Sequence, residues 1–416
     1  MLLQIKNLYK KFSRYSPGEL FSKFSRVFFT FTGFIIAPLS YLIKKDPSLI
    51  IFIPRASEGF EGNLKYFYLY LSDKKKSEVK TYYVANDKQL YNELLAADLP
   101  ALQHPSFKSI ITFLRASVVL VDGGVWHKKW KTALTIKAKK IQLWHGNGIK
   151  KVGNYNKGSQ KNSGNIFRIL ANWMEFAFPV YDTFIYTSEL QLKSRPGIYE
   201  YKEAFINGQP KNDILFGAQY RGFDIGCDKA VLDKIIEAKK NKRHIVMYAP
   251  TWRNEKFKPV TSAIDFDELD KFARANKITF IIKLHPKDPV DIQEKPNILI
   301  YDKKLDAYPV FHYTDCMITD YSSIFMDYLL ADRPVVFFPY DMDSYLKKRG
   351  TVYDYNEVSP GPKAFNQKEL QATIKSLLID KKDSWSDARR EIASRFNDYI
   401  DGNSSERLFE YIFKKK

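Results

Sequence analysis

Cysteine is nearly missing from this chain: Cys227 and Cys316 are the two in 416 residues, too few for a disulfide framework and suited to a reducing compartment. Histidine is scarce too, at six, and no Cys/His spacing of a zinc site occurs. No Walker loop, Rossmann glycine fingerprint or Gly-x-Ser-x-Gly elbow appears, so ATPase, dehydrogenase and serine-hydrolase readings lose support. Acidic residues number 47 against 66 Lys and Arg, a formal charge of +19, which favours an anionic partner: membrane lipid, nucleic acid or a phosphorylated substrate. Aromatics reach 15%, yet no RNA-binding strand signature or continuous basic recognition helix accompanies them, which argues against nucleic acid. No solenoid-period repeat is visible. What is present, at 45% hydrophobic content, suffices for two cores.

Residues 1–46 differ from the rest. Lys6, Lys10, Lys11, Arg14, Lys23 and Arg26 alternate with Leu, Phe and Tyr, and Val27 to Ile43 is almost wholly apolar before Lys44-Lys45. At about 17 residues this run is at the lower limit for a span, and Gly33 and Pro38 interrupt it. A monotopic anchor on an anionic membrane surface is the preferred expectation, with a short span second and a buried first helix as the bland alternative. The sequence after the run makes a poor signal-peptide cleavage site.

From Ser48 onward strand and helix patterns alternate. Strands are expected at Leu49 to Pro54, Thr81 to Ala85, Ser117 to Asp122, Lys140 to His145 and Asp182 to Ser188, with helices at Asn63 to Leu71 and Lys88 to Ala96. Lys150 to Gly164, rich in Lys, Asn, Gly and Ser, reads as a mobile loop. A second alternation has strands at His244 to Ala249, Thr279 to Leu284, Ile298 to Tyr301, Asp315 to Thr319 and Pro334 to Phe338, with helices at Asp265 to Ala275, Ser323 to Leu330 and Gln367 to Ile379. The expectation is α/β, two domains with parallel sheets facing a cleft. Their bounds are 47–216 and 243–388, with 217–242 between them and 389–416 as helices crossing back.

Two expected strands end on histidines, in Leu143-Trp144-His145-Gly146-Asn147-Gly148 and Lys283-Leu284-His285-Pro286-Lys287. Ligands of parallel sheets bind outside the carboxyl ends of strands, and histidine is a base near neutral pH without special tuning. His145 is the first candidate base, against the alternative of a structural histidine at a strand end. His285 between Lys283 and Lys287 offers an imidazole and two cations to a diphosphate, against a solvated basic loop. In Thr319-Asp320-Tyr321-Ser322-Ser323 a strand breaks into a helix at two hydroxyls, one an N-cap and the other a donor to phosphate; Asp320 orients the turn. Arg253, in Ala249-Pro250-Thr251-Trp252-Arg253, is a candidate phosphate chelator. Lys211, in Asn207-Gly208-Gln209-Pro210-Lys211-Asn212-Asp213, is a further cation, with plain turn chemistry as its alternative.

In this order, Trp144-His145-Gly146 with Lys150, Gly208 to Asp213, Ala249 to Arg253, Lys283 to Pro286 and Thr319 to Ser323 resemble the CDP-glycerol glycerophosphotransferases that build teichoic acid and capsule polymers; Asn63-Leu64-Lys65-Tyr66 looks like the family's early helix start. The resemblance implies a GT-B arrangement of two Rossmann-like domains at the cytoplasmic face of a bacterial membrane. It implies His145 as the base for an acceptor hydroxyl. His285, Arg253, Lys283, Lys287, Lys211, Ser322, Ser323 and Asp320 fall on the side of a CDP-glycerol or CDP-ribitol donor, and Gly146, Asn147 and Lys150 on the acceptor side. The acceptor would be a lipid-linked saccharide or polyol phosphate, with no metal or cofactor required. Where the family often carries Thr-Pro-Leu after Trp-His-Gly, this chain has Asn147-Gly148-Ile149, a more flexible turn. The competing readings are a GT-B nucleotide-sugar glycosyltransferase and a non-catalytic scaffold at the membrane.

Overall fold

The computed structural model describes residues 28–29, 32–33, 35–55, 59–123, 126, 129–146, 180–194, 199–253, 257, 259–349 and 352–414. Most of the basic leader, the 150–164 stretch, Asn147 and Lys150 therefore lie outside the described residues. Two wholly parallel sheets organise the chain. The first has the order β3-β2-β1-β4-β5-β6-β7, from β1 (Asp46–Ile53), β2 (Lys80–Ala85), β3 (Ala101–Gln103), β4 (Ala116–Val121), β5 (Lys139–Gln142), β6 (Tyr181–Tyr186) and β7 (Tyr201–Ile206). The second runs β10-β9-β8-β11-β12, from β8 (His244–Tyr248), β9 (Ile278–Ile282), β10 (Ile298–Ile300), β11 (Cys316–Thr319) and β12 (Val335–Phe337).

Both faces of each sheet are covered, which is why the central strands read as continuous apolar runs. Ile50, Phe52 and Leu120 pack with Leu64, Phe67 and Leu71 of helix Gly62–Lys74 on one face of the first sheet, and Ile51, Ile53 and Val119 with Phe113 and Leu114 of helix Phe107–Arg115 on the other. Helix Lys229–Lys240, within the stretch read as interdomain, lays Val231, Ile235 and Ala238 against Ile245 and Met247 of the second sheet. Helix Ser404–Phe413 packs on the first sheet through Leu408, Phe409 and Tyr411, and Tyr411 stacks on Phe205 of β7 at 4.0 Å.

Among the elements that went unforeseen are β3, β7 and the helices Phe107–Arg115, Lys229–Lys240 and Met342–Arg349. Among the described residues no helix is long and apolar enough to cross a membrane.

Candidate active site

β5 ends at Gln142, three residues earlier than expected, and the chain then turns sharply. Trp144 adopts φ 57°, a left-handed conformation costing a non-glycine residue of order 1 kcal/mol. Two clamps hold it there: the Trp144 N–H donates to Gln142 Oε1 at 3.0 Å, and Asn63 Nδ2 donates to the Trp144 carbonyl at 2.9 Å. The turn delivers His145 with Nδ1 3.1 Å from the Asp122 carbonyl. A carbonyl only accepts, so Nδ1 carries the hydrogen, and the neutral ring keeps its lone pair on Nε2. Enclosure by protein, then the Arg55 charge, push the His145 pKa down to about 3, with a smaller push from Lys211 and the Asp122 carbonyl opposing. His145 as a residue is exposed, and solvent there tempers the shift without changing its direction.

The His285 turn has the opposite polarity. The Lys287 N–H donates to His285 Nδ1 at 3.1 Å, so in the neutral ring the hydrogen sits on Nε2. The imidazole is exposed and stacks near Trp252, centroids 6.0 Å apart, while Lys287 Nζ lies 5.8 Å over the same indole. Lys283 donates to the Lys303 carbonyl at 2.8 Å. Burial lowers its pKa, and Glu61, Asp306 and Asp302 work the other way.

Two expected phosphate ligands are committed elsewhere. Arg253 is buried, its Nε and Nη2 donating to Asp341 at 2.8 and 2.9 Å and its Nη1 to the Thr251 carbonyl at 2.7 Å. Asp320 Oδ2 completes the cage 2.8 Å from Nη2. Lys211 is equally enclosed, with its Nζ donating to the His145 carbonyl (3.1 Å), Tyr308 Oη (2.6 Å) and Asp327 Oδ2 (2.9 Å). An ammonium has three donors, and these acceptors use all three. Lys211 is thus a strut from the His145 turn to the second domain, in place of the diphosphate ligand read from the sequence. Asp320 does orient turns, its Oδ1 accepting the Thr251 and Tyr321 N–H groups at 2.8 and 2.5 Å. Ser323 occupies the N-cap of the short helix Ile324–Tyr328, yet neither it nor Ser322 makes the expected capping bond, and both are half-buried.

The domains meet at these turns. A Cβ on Gly146 would stand 3.8 Å from Lys211 Nζ and 3.9 Å from Ser323 Oγ, so the Gly146 turn abuts the hydroxyl helix start of the second domain. A second buried tie joins Lys65 Nζ to Asp306 Oδ2 at 2.9 Å, with Tyr66 Oη donating to the same oxygen at 2.8 Å. Asn207 to Asp213 forms the joint. Asp213 accepts the Ser404 and Ser405 N–H groups at 3.0 and 2.8 Å, neutralising orphan donors at a helix start. Gly208 is required there, because a Cβ would lie 2.1 Å from Ser404 Oγ.

Sequence reasoning passed over Glu61 and Asp122. Asp122 follows β4 and Glu61 opens the helix after β1, so with His145 after β5 they line the carboxyl ends of three adjacent strands. The sheet order reverses between β1 and β4, the switch point where ligands of such sheets bind. The signal available was Asp122-Gly123-Gly124, a chemically capable residue followed by glycines at a strand end, as in His145-Gly146.

A family model described as CDP-Glycerol:Poly(glycerophosphate) glycerophosphotransferase matches residues 35–414. The teichoic acid glycerol-phosphate transferase of Staphylococcus aureus (strain NCTC 8325 / PS 47) is 26% identical over 400 residues, covering 90% of this chain and 95% of that protein. The teichoic acid glycerol-phosphate primase of Bacillus subtilis (strain 168) is 26% identical over 317 residues, 73% of this chain and 75% of that one. A solved structure of the wall teichoic acid polymerase TagF, a variant soaked with CDPG, superposes with a TM-score of 0.69 at 21% identity over 94% of this chain and 97% of that one. The fold is thus a GT-B-like α/β arrangement.

Proposed function

Because the chain belongs to the CDP-glycerol:poly(glycerophosphate) glycerophosphotransferase family, we propose that it transfers a phosphoalditol, glycerol phosphate or a close relative, from a CDP-activated donor to an acceptor hydroxyl in teichoic acid-type polymer synthesis. The observation that carries this reading is the His145 turn: a neutral imidazole with its lone pair on Nε2, held beside Gly146 where the second domain's Ser323 hydroxyl approaches. His145 takes the proton of the acceptor hydroxyl as that oxygen bonds to the β-phosphorus, and the bond from phosphorus to the CMP oxygen breaks, its electron pair leaving with CMP. On the donor side, His285 with its Nε2 hydrogen, Lys287, Lys283, Ser322 and Ser323 stabilise charge on the diphosphate. Arg253 and Asp320 support this region from beneath, through the turns they brace. The acceptor is a lipid-linked saccharide or polyol phosphate.

The reaction belongs at the cytoplasmic face of the membrane, bound to anionic lipid. Supporting this, Leu42 and Phe107 are 80% and 82% exposed, with Ile35, Leu39 and Ile111 also outward. The stretch around Leu42 adjoins the helix carrying Phe107 through Lys45 Nζ, which donates to the Leu114 carbonyl at 2.8 Å. Apolar side chains beside Lys44 and Lys108 suit a headgroup interface.

The test is to supply CDP-glycerol, CDP-ribitol or a UDP-sugar with a membrane-lipid acceptor extract, and to follow nucleotide release and acceptor mass. CMP with a phosphoalditol-sized gain is expected. UDP with a hexose-sized gain would replace the reading by a nucleotide-sugar glycosyltransferase.

A further inference from the structure

Glu61 stands at the N-cap of helix Gly62–Lys74 with extended backbone, φ −151° and ψ 173°, yet its side chain makes no capping bond. Facing it is Asp122, 3% exposed, whose Oδ1 has no hydrogen-bond partner and whose Oδ2 lies 3.6 Å from where a Gly62 Cβ would be. A buried carboxyl oxygen left without a donor is costly, of order 1–3 kcal/mol, unless a ligand supplies one. The backbone carbonyl of this same Asp122 holds His145 Nδ1, so the orphan oxygen and the imidazole belong to one corner of the cleft. Arg55 closes the corner: its side chain lies across Gly123, where a Cβ would stand 1.9 Å from Arg55 Cδ.

The chemistry of this corner narrows its ligand. The orphan Asp122 oxygen calls for a donor, which an ionised phosphate oxygen is not, and among the described residues no three potential ligands gather as a metal site. A neutral hydroxyl suits the two carboxyl groups, because it donates to a carboxylate and accepts from a carboxylic acid. Burial raises the pKa of both groups, that of Asp122 to about 7, and for Asp122 the nearby Glu61 charge adds to the rise while Arg55 opposes it. A carboxyl that holds its proton near neutral pH can donate as well as accept.

We propose that Glu61 and Asp122 are specificity-determining residues that bind the acceptor hydroxyl neighbouring the attacking one, so that the polyol enters with one chosen oxygen at His145. This inference rests on the transfer reaction proposed above, and it adds the feature of the acceptor that is read: a pair of adjacent hydroxyls at its terminus.

The test compares two synthetic acceptors, one ending in glycerol phosphate and one in propane-1,3-diol phosphate, which lacks the secondary hydroxyl. Wild-type kcat/KM should favour the first on the order of 10⁴-fold, as sites built to hydrogen-bond a hydroxyl do. In Glu61→Gln and in Asp122→Asn that preference should fall to roughly 10-fold or less, mainly through acceptor KM, with CDP-alditol KM unchanged in Asp122→Asn and the unfolding temperature unchanged in Glu61→Gln. A wild type indifferent to the missing hydroxyl, or a Glu61→Gln variant retaining the wild-type preference, would overturn the inference while leaving the transfer reaction standing. A wild type that moves no phosphoalditol to either acceptor would bring down the proposed function and this inference with it.

Discussion

The two histidine turns each follow the carboxyl end of a parallel strand, β5 in the first sheet and β9 in the second, and they are wired in opposite directions. His145 donates through Nδ1 to a carbonyl, whereas His285 accepts through Nδ1 from the Lys287 N–H. One neutral ring therefore turns a lone pair outward on Nε2 and the other a hydrogen. The first suits proton abstraction and the second a phosphate oxygen. Support differs as well. The His145 turn hangs from Asn63, Gln142 and Lys211, whereas Lys287 beside His285 is exposed. A base must hold its atom in place through the reaction, while a group that only balances charge tolerates looser seating.

The comparison breaks most directly at His145. His145→Ala should lower CMP release on the order of 10²-fold or more with folding intact, as loss of a general base does; near-normal turnover would remove it from that role. Lys211→Met should follow, because it takes the cation from the buried Asp327 carboxylate and leaves it only the Tyr308 and Asn212 donors. A loss of about 3–5 kcal/mol is expected for breaking such a pair, read as a lowered denaturation midpoint, and Lys211→Met with Asp327→Leu should recover much of it. His285→Ala should cost on the order of 10²-fold in kcat/KM, and His285→Gln, whose amide N–H reaches the place of the imidazole Nε2, should regain roughly 10-fold. Equal loss in both variants would mean that donation is not the role of His285.

The smallest effect concerns pH. The His145 pKa is about 3 in the folded chain against 6.5 ordinarily, so between these values the unfolded chain binds the extra proton. This contribution to stability is fully present above pH 6.5 and is lost progressively as pH falls toward 3. His145→Asn should lack it, so unfolding midpoints of variant and wild type should converge or cross between pH 7.5 and 5. By the same shift, kcat/KM should show no acid limb near 6.5 that disappears in the variant.

Strand and helix alternation was legible because buried parallel strands such as Leu49 to Ile53 are apolar throughout. β3 was not, being three residues long, too short for a period. Nor was β7, an edge strand whose Lys202 and Glu203 are exposed. Both histidine turns were visible as chemistry at strand ends. The sequence shows Lys211 and Arg253 as cations, but their neutralising partners, Asp327 and Asp341, lie 116 and 88 residues further on. Only the fold brings those carboxylates in, and that turned two expected ligands into struts. Glu61 and Asp122 were missed for the converse reason: a lone acidic residue in sequence carries no sign that its partner will be withheld.

The helix Ser404–Phe413 has a consequence for how the protein is made. Leu408, Phe409 and Tyr411 fill the core formed by residues 50 to 225, so the first half emerges from the ribosome with an apolar face open for as long as nearly two hundred further residues take to appear. Domains usually fold in order of synthesis; here the earlier one waits for the later. Premature termination would leave that face bare, and such a fragment is expected to depend on chaperones or aggregate.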